Sequence, residues 1–543
     1  MIELILNRRI YDNDIGPLMR SFFPKERLLI YADGVLLGRE STDEKRQREE
    51  EAVTASMKVF VPEEDGDVTI SLHVDGREDG EVSLPYQQEM TASDFTPVQL
   101  KKAACDENWK EMALRSARKN GVKRAAYDLL VQVTGKELPW GAQTGIRPTK
   151  KSLELMEKGE NAAFITEFMK KNYRTTDEKI RQTLKITALE HKVLSGIPNA
   201  TEEELKEDPS LNLQGKGYSL YLGVLFCPSI CLYCSFSSHA IGAYRHMVPA
   251  YVASLEKEID FAAEHFAHRR LDSIYFGGGT PTALGPVELE EVLTYLERKL
   301  DLSHLKEFTV EAGRPDSITL DKLKVLKAHG VDRISVNPQT MNQKTLDLIG
   351  RHHSTEDIKV AYALARQVGF DCINMDLILG LPGESPEDMQ HSLDEVRAMD
   401  PENLTVHSLA LKTSARLNLE WDRYQDYTYT NSDEIMEASY LTAEKLGMNP
   451  YYLYRQKNMA GNMENVGFAK PGKEGLYNIL IMEEREDILA IGAGAACKKV
   501  RMDPVTGDTQ ITRCENVKDI KTYIERIDDM IERKRRLFAD VIR

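Results

Sequence analysis

Cys227-Pro-Ser-Ile-Cys231-Leu-Tyr-Cys234 is a C-x3-C-x2-C run, fed by the apolar, strand-like segment Tyr218 to Phe226. Three cysteines within eight residues cannot all pair with one another as disulfides. They can hold three corners of an iron–sulfur cube and leave the fourth iron open. An open iron can chelate a small ligand through an amine and a carboxylate. A zinc knuckle is the competing reading, but zinc sites usually take a fourth protein ligand and paired C-x2-C spacings.

Outward from this run the pattern is strand, loop, helix, repeated. Strands are expected at Tyr218 to Phe226, Ser273 to Phe276, Glu307 to Ala312, Arg333 to Asn337, Cys372 to Leu379 and Asn403 to Leu409. Helices are expected between them at Pro249 to Phe266, Val287 to Leu300, Leu320 to His329, Thr355 to Val368 and Pro386 to Met399. Strands joined in series by helices predict a parallel barrel or partial barrel over residues 216–429. In such a barrel the C-terminal strand ends carry the chemistry, and the cysteines follow the first strand.

The flanks read differently. Residues 1–100 alternate short strands (Ile2 to Leu6, Leu28 to Tyr31, Val68 to Val74) with turns and make an accessory α/β domain. The charge-rich stretch Arg39 to Glu51 is a solvated helix face or a loop. Residues 101–215 are mainly helical, with a long helix from Trp109 to Val133 ended by Gly135. The loop Trp140 to Lys150 holds two cations and reads as a structural cap before an anion site, and Glu202 to Asp208 with Pro209 as a linker. Residues 430–543 form a C-terminal α+β domain: a helix at Ser432 to Leu446, strands at Asn478 to Met482 and Asp487 to Ile491, and an amphipathic helix at Lys518 to Val541.

With 543 residues the chain has room for two to four domains. Hydrophobic content of 41% and charged content of 29% are those of a globular protein. The net charge of −16 argues against a nucleic-acid partner. No apolar run approaches the roughly 18 residues of a membrane span. The first residues lack the basic start and apolar core of a signal peptide. Seven cysteines, three of them clustered, point to a reducing cytoplasm. Cys105, Cys372, Cys497 and Cys514 stand alone and read as small packing or surface residues.

The cysteine spacing is that of radical S-adenosylmethionine (SAM) chemistry, and an ordered series of polar residues follows it. Tyr233, between the second and third cysteines, can pack beside an adenine. Gly277-Gly278-Gly279-Thr280 follows the second strand and lets backbone approach a ligand. Glu311 ends the third strand, Gln339 follows the fourth, Arg351 lies twelve residues later, and Asp376 is within the fifth. A guanidinium for a carboxylate, and carboxylates for an amine or a ribose diol, suit SAM.

The series resembles the radical SAM family of oxygen-independent coproporphyrinogen III oxidase and its relatives, most of all the HemZ-type members. The matching motifs are Tyr221 with the three cysteines, Gly-Gly-Gly-Thr-Pro-Thr at 277–282 and Val310-Glu311. They continue with Arg333-Ile-Ser-Val-Asn-Pro-Gln339, Arg351 and Asp376-Leu-Ile-Leu-Gly-Leu-Pro-Gly383. The resemblance implies a [4Fe-4S] cluster on Cys227, Cys231 and Cys234. It further implies one SAM or two contacted by Tyr221, Gly278, Gly279, Thr280, Glu311, Gln339, Arg351, Asp376 and Ala410. It implies oxidative decarboxylation of a tetrapyrrole, coproporphyrinogen III, to protoporphyrinogen IX, with an electron donor such as flavodoxin or ferredoxin. Arg245, Arg314, Lys412 and Arg455 are candidate cations for the four substrate carboxylates or ordinary surface charges, and Tyr451 to Asn458 a candidate tetrapyrrole contact or a packing element between the C-terminal domain and the barrel. Two departures bear on the oxidase reaction and a second SAM, not on the cluster. Gly223 and Leu225 replace a His and a Pro of the oxidase pattern, and Phe236 stands in place of a further Cys. The alternatives are a haem chaperone of the same superfamily, whose His-Asn-x-x-Tyr-Trp segment is missing here, and another radical SAM enzyme acting on a tetrapyrrole, whose SAM motifs would look alike.

Overall fold

The computed structural model describes the chain except residues 25, 38–51, 64–65, 88–96, 146, 208–216, 411, 413, 425, 428–430, 457–462, 503–508 and 540–543. The charge-rich stretch Arg39 to Glu51, Asp208 and Pro209 of the expected linker, and Lys457 and Asn458 of the aromatic segment lie outside the described residues. The chain divides into one unit built on Met1–Leu184 and another on Lys185–Arg455 with Met463–Arg543.

In the first unit β1 (Ile2–Leu6), β2 (Leu28–Ala32), β3 (Val35–Leu36), β4 (Ala55–Phe60), β5 (Asp67–Val74) and β6 (Gly80–Pro85) form one sheet in the order β3-β2-β1-β4-β5-β6. Strand β1 runs parallel to both β2 and β4, so a crossover must join β1 to β2. That crossover is the helix Asp12–Phe22, which the reading by strands and turns did not anticipate. Gly16-Pro17 resembles a turn, yet Ile15, Leu18, Met19 and Phe22 fall at i, i+3, i+4 and i+7 and are buried. The long helix spans Glu107–Thr134. Asp106 accepts from Trp109 N at its start, and Gly135, with φ 70°, ends it in the left-handed region.

The second unit holds an 11-stranded sheet. Strands β7 (Gly217–Val224), β10 (Arg270–Gly278), β11 (Glu307–Val310), β12 (Arg333–Ser335), β13 (Ile373–Leu379) and β14 (Asn403–Ser408) pair in sequence order, all parallel. The short strands β8 (Phe226–Cys227) and β9 (His239–Ala240) pair separately. Helices Val248–His265, Pro286–Lys299, Leu320–Ala328, Thr355–Val368 and Pro386–Met399 make the crossovers. Every residue of β7 except Tyr221 is buried, as expected of a parallel strand covered on both faces. Ser354 with Asp357 and Ser385 with Asp388 form capping boxes that set the starts of the last two crossover helices. The α/β partial barrel expected from the strand–helix alternation is therefore present.

The C-terminal strands continue this same sheet. β15 (Asn449–Tyr454) and β16 (Asn465–Ala469) add antiparallel beyond β14. β17 (Asp487–Ile491) adds parallel on the far side of β7, followed by the antiparallel strands β18 (Ala496–Met502) and β19 (Thr509–Glu515). Two expectations are corrected here. The strand expected at Asn478 to Met482 is the helix Leu476–Glu483. Its apolar run is short and buried, so periodicity could not separate strand from helix. The deciding contact is distant in sequence: the Glu307 carboxylate accepts from Leu476 N and Tyr477 N at the helix start. The single helix expected over Lys518 to Val541 is two, Ile520–Glu525 and Ile527–Leu537, broken at Arg526 with φ −119°. Buried Ile520, Tyr523, Ile527, Met530 and Lys534 keep helical spacing across the break, which hides it from the pattern.

Candidate functional site

The cysteine loop leaves β7 and is closed by the pairing of β8 with β9, with His239 N donating to Leu225 O at 2.7 Å. Cys227 and Cys234 are half-buried and Cys231 is buried. The loop is tied down from three directions. Leu232 N donates to Ile349 O at 2.9 Å, Leu417 N donates to Leu232 O at 2.9 Å, and Ser229 Oγ donates to Gly350 O at 3.1 Å. Leu232 also packs in an apolar cluster with Ile349, Ile378, Leu381, Leu409, Leu417 and Tyr424. Burial pushes the Cys227 thiol up and that of Cys234 to about 11, so iron would have to displace protons from them.

The glycine run lies directly against this loop. Thr280 N donates to Phe226 O at 2.7 Å and Gly279 N donates to Val224 O. A Cβ on Gly279 would stand 2.5 Å from Phe226 O and 3.0 Å from Cys227 Sγ, which is why no side chain fits there. Gly278 takes φ 110° and its N–H faces Glu311. The Gly279 and Thr280 amides are thus spent on the segment that leads to Cys227. Thr280 Oγ1 lies 3.6 Å from Cys227 Sγ.

Glu311 sits beside this run and accepts from Tyr275 Oη at 2.5 Å. Burial pushes its carboxyl up to about 7; the Tyr275 hydroxyl pulls it down and the Asp376 charge pushes it up. Tyr221 and Tyr275 are register partners on β7 and β10 and stack at 6.2 Å, with Tyr477 stacked 4.6 Å from Tyr275. Asp376 accepts from Asn337 Nδ2 and Asn374 Nδ2, both at 2.7 Å, one on each oxygen. Gln339 has φ 68°, in the left-handed region, held by Gln339 N donating to Asp376 O and Ile378 N donating to Gln339 O. Arg351 is 2% exposed and turns its fork on the protein: Nη2 donates to Gly313 O and Asn337 O, and Nη1 to Tyr233 Oη at 3.1 Å. Ala410 is half-buried just past β14.

Among residues the sequence reading passed over, Asn337 belongs to a quoted motif and could have been found there. Tyr477 could not, because it lies just before the segment expected as a strand, and only the helix Leu476–Glu483 brings it beside Tyr275. Of the four candidate cations, Arg245 is exposed and Lys412 half-buried, but Arg314 and Arg455 are 4% and 5% exposed and cannot greet a substrate from the surface. Tyr451, Tyr452 and Leu453 are buried in β15, which makes that part of the aromatic segment a sheet element. Gly223 is held by close packing: a Cβ there would lie 3.2 Å from Ile491 O, so the His of the oxidase pattern has no room without a shift. Phe236 stands 72% exposed beside the cysteines.

The donor set fits a cluster with a small ligand beside it. Three thiolates on three separate irons need not meet at one point, and among the described residues no three His, Cys, Asp or Glu side chains form a group that could hold a single ion. Gln339 Oε1, Asn337 Oδ1 and Arg351 Nε are buried without a hydrogen-bond partner among the described residues. Buried polar atoms left over in this way call for a ligand or water.

Parallel strands with a three-cysteine loop after the first and polar groups at the following strand ends define a radical SAM protein, and the radical SAM superfamily model matches residues 222–396. The chain is 37% identical over 480 residues to the oxygen-independent coproporphyrinogen-III oxidase-like protein HemZ of Bacillus subtilis, covering 87% of this chain and 90% of that one. It is 32% identical over 312 residues to the haem chaperone HemW of the same organism, covering 57% of this chain and 76% of that one. Coproporphyrinogen III oxidase (HemN) from Escherichia coli, a radical SAM enzyme, aligns in structure with a TM-score of 0.47 at 23% identity, covering 61% of this chain and 72% of that one. The chain belongs to the HemZ-type family of radical SAM coproporphyrinogen oxidase-like proteins. Its superfamily uses a [4Fe-4S] cluster and SAM. No helix among the described residues is long and apolar enough to cross a membrane.

Proposed function

We propose that this protein oxidatively decarboxylates coproporphyrinogen III to protoporphyrinogen IX without oxygen, by a radical SAM mechanism in haem biosynthesis. One observation carries the reading: a three-thiol loop, Glu311, Gln339, Arg351 and Asp376 meet at one end of the parallel strands, with unsatisfied buried atoms among them. Similarity over 87% of this chain to an oxidase-like relative supports the tetrapyrrole substrate.

When bound, the cluster and SAM would supply the one-electron chemistry that generates a 5′-deoxyadenosyl radical able to take a hydrogen atom from a substrate propionate. Cys227, Cys231 and Cys234 hold the cluster. Tyr221 and the Gly278-Gly279-Thr280 run shape the side of the ligand site against Cys227, and Tyr233 and Ala410 flank it. Glu311 accepts from the ligand amine. Asp376, oriented by two asparagine amides, takes the ribose, and Gln339 Oε1 and Arg351 Nε offer their remaining hydrogen bonds. The stacked tyrosines 221, 275 and 477 keep water from the reacting carbon. Phe236 and Ile230, exposed beside the cysteines, offer apolar surface to the macrocycle. One SAM or two take part, the electron comes from a donor such as flavodoxin or ferredoxin, and the protein works in the cytoplasm.

Anaerobically reconstituted protein given reductant, SAM and coproporphyrinogen III is expected to release 5′-deoxyadenosine together with protoporphyrinogen IX. Stable haem binding with no product under those conditions would overturn the oxidase reading in favour of a chaperone.

SAM affinity also carries a pH dependence. Glu311 must be ionised to accept from an ammonium, and its folded value is about 7, above the ordinary carboxylate range. Its raised value means the charged form is lost as pH falls through 7, so SAM binding weakens, approaching about tenfold per pH unit below that point. Equilibrium dialysis between about pH 5.5 and 8.5 checks this, and Glu311→Gln is expected to bind weakly with a flat profile. A flat profile in the unsubstituted protein would remove Glu311 from the amine site.

A further inference from the structure

Arg314 has no role in the assignments above, and its placement is specific. It follows β11 and is 4% exposed. Its Nη1 donates to Ser229 O at 3.1 Å and to Cys231 Sγ at 3.5 Å, and its Nη2 to Ser229 Oγ at 3.0 Å. The opposite edge is locked to Asp316, with Nε 2.9 Å from Oδ1 and Nη2 2.7 Å from Oδ2. The guanidinium is therefore a fixed dipole: Asp316 behind it, and its donors aimed at Ser229 in the loop that carries the three cysteines and at the sulfur of the second.

Of the three sulfurs, Cys231 alone is given a cationic donor among the described residues. Thr280 is the neutral hydroxyl nearest Cys227. Hydrogen bonds to cluster sulfurs and local charge set iron–sulfur potentials. Reduction adds one negative charge to the cluster and its thiolates. A cation touching one of those thiolates stabilises the reduced form more than the oxidised form and raises the potential. Desolvation strengthens the effect, because little water reaches a group this buried.

We propose that Arg314 tunes the reduction potential of the cluster, the positive end of its ion pair with Asp316 resting on Cys231 and easing the one-electron reduction that the reaction requires. This rests on the assignment of the three cysteines as cluster ligands. Asp316 moderates the effect, because its carboxylate cancels part of the guanidinium charge at the cluster. The two residues thus pull the potential in opposite directions, which a merely structural clamp would not do.

The test is a redox titration, followed by electron paramagnetic resonance, of full-length protein reconstituted anaerobically and matched for iron and sulfide content. Arg314→Gln keeps a donor toward Ser229 and loses the charge. Its reduced-to-oxidised ratio at a fixed potential is expected to fall about tenfold, a shift of about 59 mV to the negative for a one-electron couple. Asp316→Asn, which leaves Arg314 in place, is expected to shift the potential to the positive. Arg314→Lys, with charge but no fork, should lie between the parent and Arg314→Gln. If Arg314→Gln fails to take up a cluster, Asp316→Asn decides alone. Wild-type potentials in the cluster-loaded variants overturn the proposal while leaving the cysteine assignment intact. A parent protein that takes up no cluster overturns that assignment, and the proposal with it.

Discussion

Cys231→Ala is expected to lose the brown iron–sulfur absorbance after anaerobic reconstitution, and with it any 5′-deoxyadenosine release, while keeping its fold. The two halves of that expectation have separate causes. The substitution leaves two thiolates for a cube that needs three protein corners. Removing partners that merely orient metal ligands costs 10–100-fold in affinity, so removing a ligand should cost at least about 100-fold. The fold survives because the loop does not depend on the sulfur. Leu232 stays seated among Ile349, Leu381 and Leu417, and its backbone bonds to Ile349 and Leu417 remain. Far-UV circular dichroism should therefore match the parent. Cys372→Ala, at a buried cysteine on the opposite end of β13 from Asp376's following loop, should keep full absorbance and serves as the control. Absorbance retained in Cys231→Ala would show that the ligands are misassigned.

The barrel was legible because its strands are short apolar runs with punctuation at both ends. Gly277 to Thr280 closes one and Gly380 to Gly383 another, and the Ser354 and Ser385 caps mark where helices begin. The placement of the candidate site was legible for the same reason: Glu311, Gln339 and Asp376 lie at or near strand ends, and a parallel sheet brings its strand ends together whatever the spacing between them. What failed to show was set by distant partners. The helix Leu476–Glu483 depends on a carboxylate from β11, and nothing local distinguishes it from a strand. Cys497 and Cys514, read as solitary, are register partners on β18 and β19, since a hairpin joins what sequence keeps apart. In sequence Arg314 is only a candidate cation for substrate carboxylates or an ordinary surface charge. Only the fold shows that its partners are Asp316, Ser229 and Cys231, the last two more than eighty positions away in the chain. The order of the sheet was hidden too, because pairing of β17 with β7 joins residues from opposite ends of the second unit.

Lys534→Met is expected to destabilise the second unit by about 3–5 kcal/mol, the cost of removing one partner from a buried ion pair. Lys534 and Glu258 have side chains 1% and 0% exposed. Lys534 Nζ donates to a Glu258 carboxylate oxygen and to Asn516 Oδ1. The same carboxylate accepts from Asn516 Nδ2, Gly492 N and Tyr523 Oη. Helix Val248–His265, the turn after β17, and both C-terminal helices are therefore joined at one anion. Methionine fills the volume of the lysine but leaves that anion without its cation. Adding Glu258→Leu removes the stranded charge and should recover part of the loss. Recovery stays incomplete because Gly492 N and Tyr523 Oη then lose the Glu258 acceptor and Asn516 Nδ2 keeps only Gly492 O, at about 1–3 kcal/mol for each unsatisfied group. Urea midpoints followed by circular dichroism measure all three proteins, and a Lys534→Met variant within about 1 kcal/mol of the parent would dismiss the ion pair as a determinant. The damage should reach the cysteines as well. Gly492 takes φ 98° and a Cβ there would stand 2.1 Å from Gly223 O, so only glycine fits, and the Tyr251 hydroxyl bridges Ala493 N to that same carbonyl. Gly223 is the penultimate residue of β7, four positions before Cys227. Loosening the turn frees the strand that presents the loop, so Lys534→Met should shed iron faster than the parent even under conditions where both remain folded.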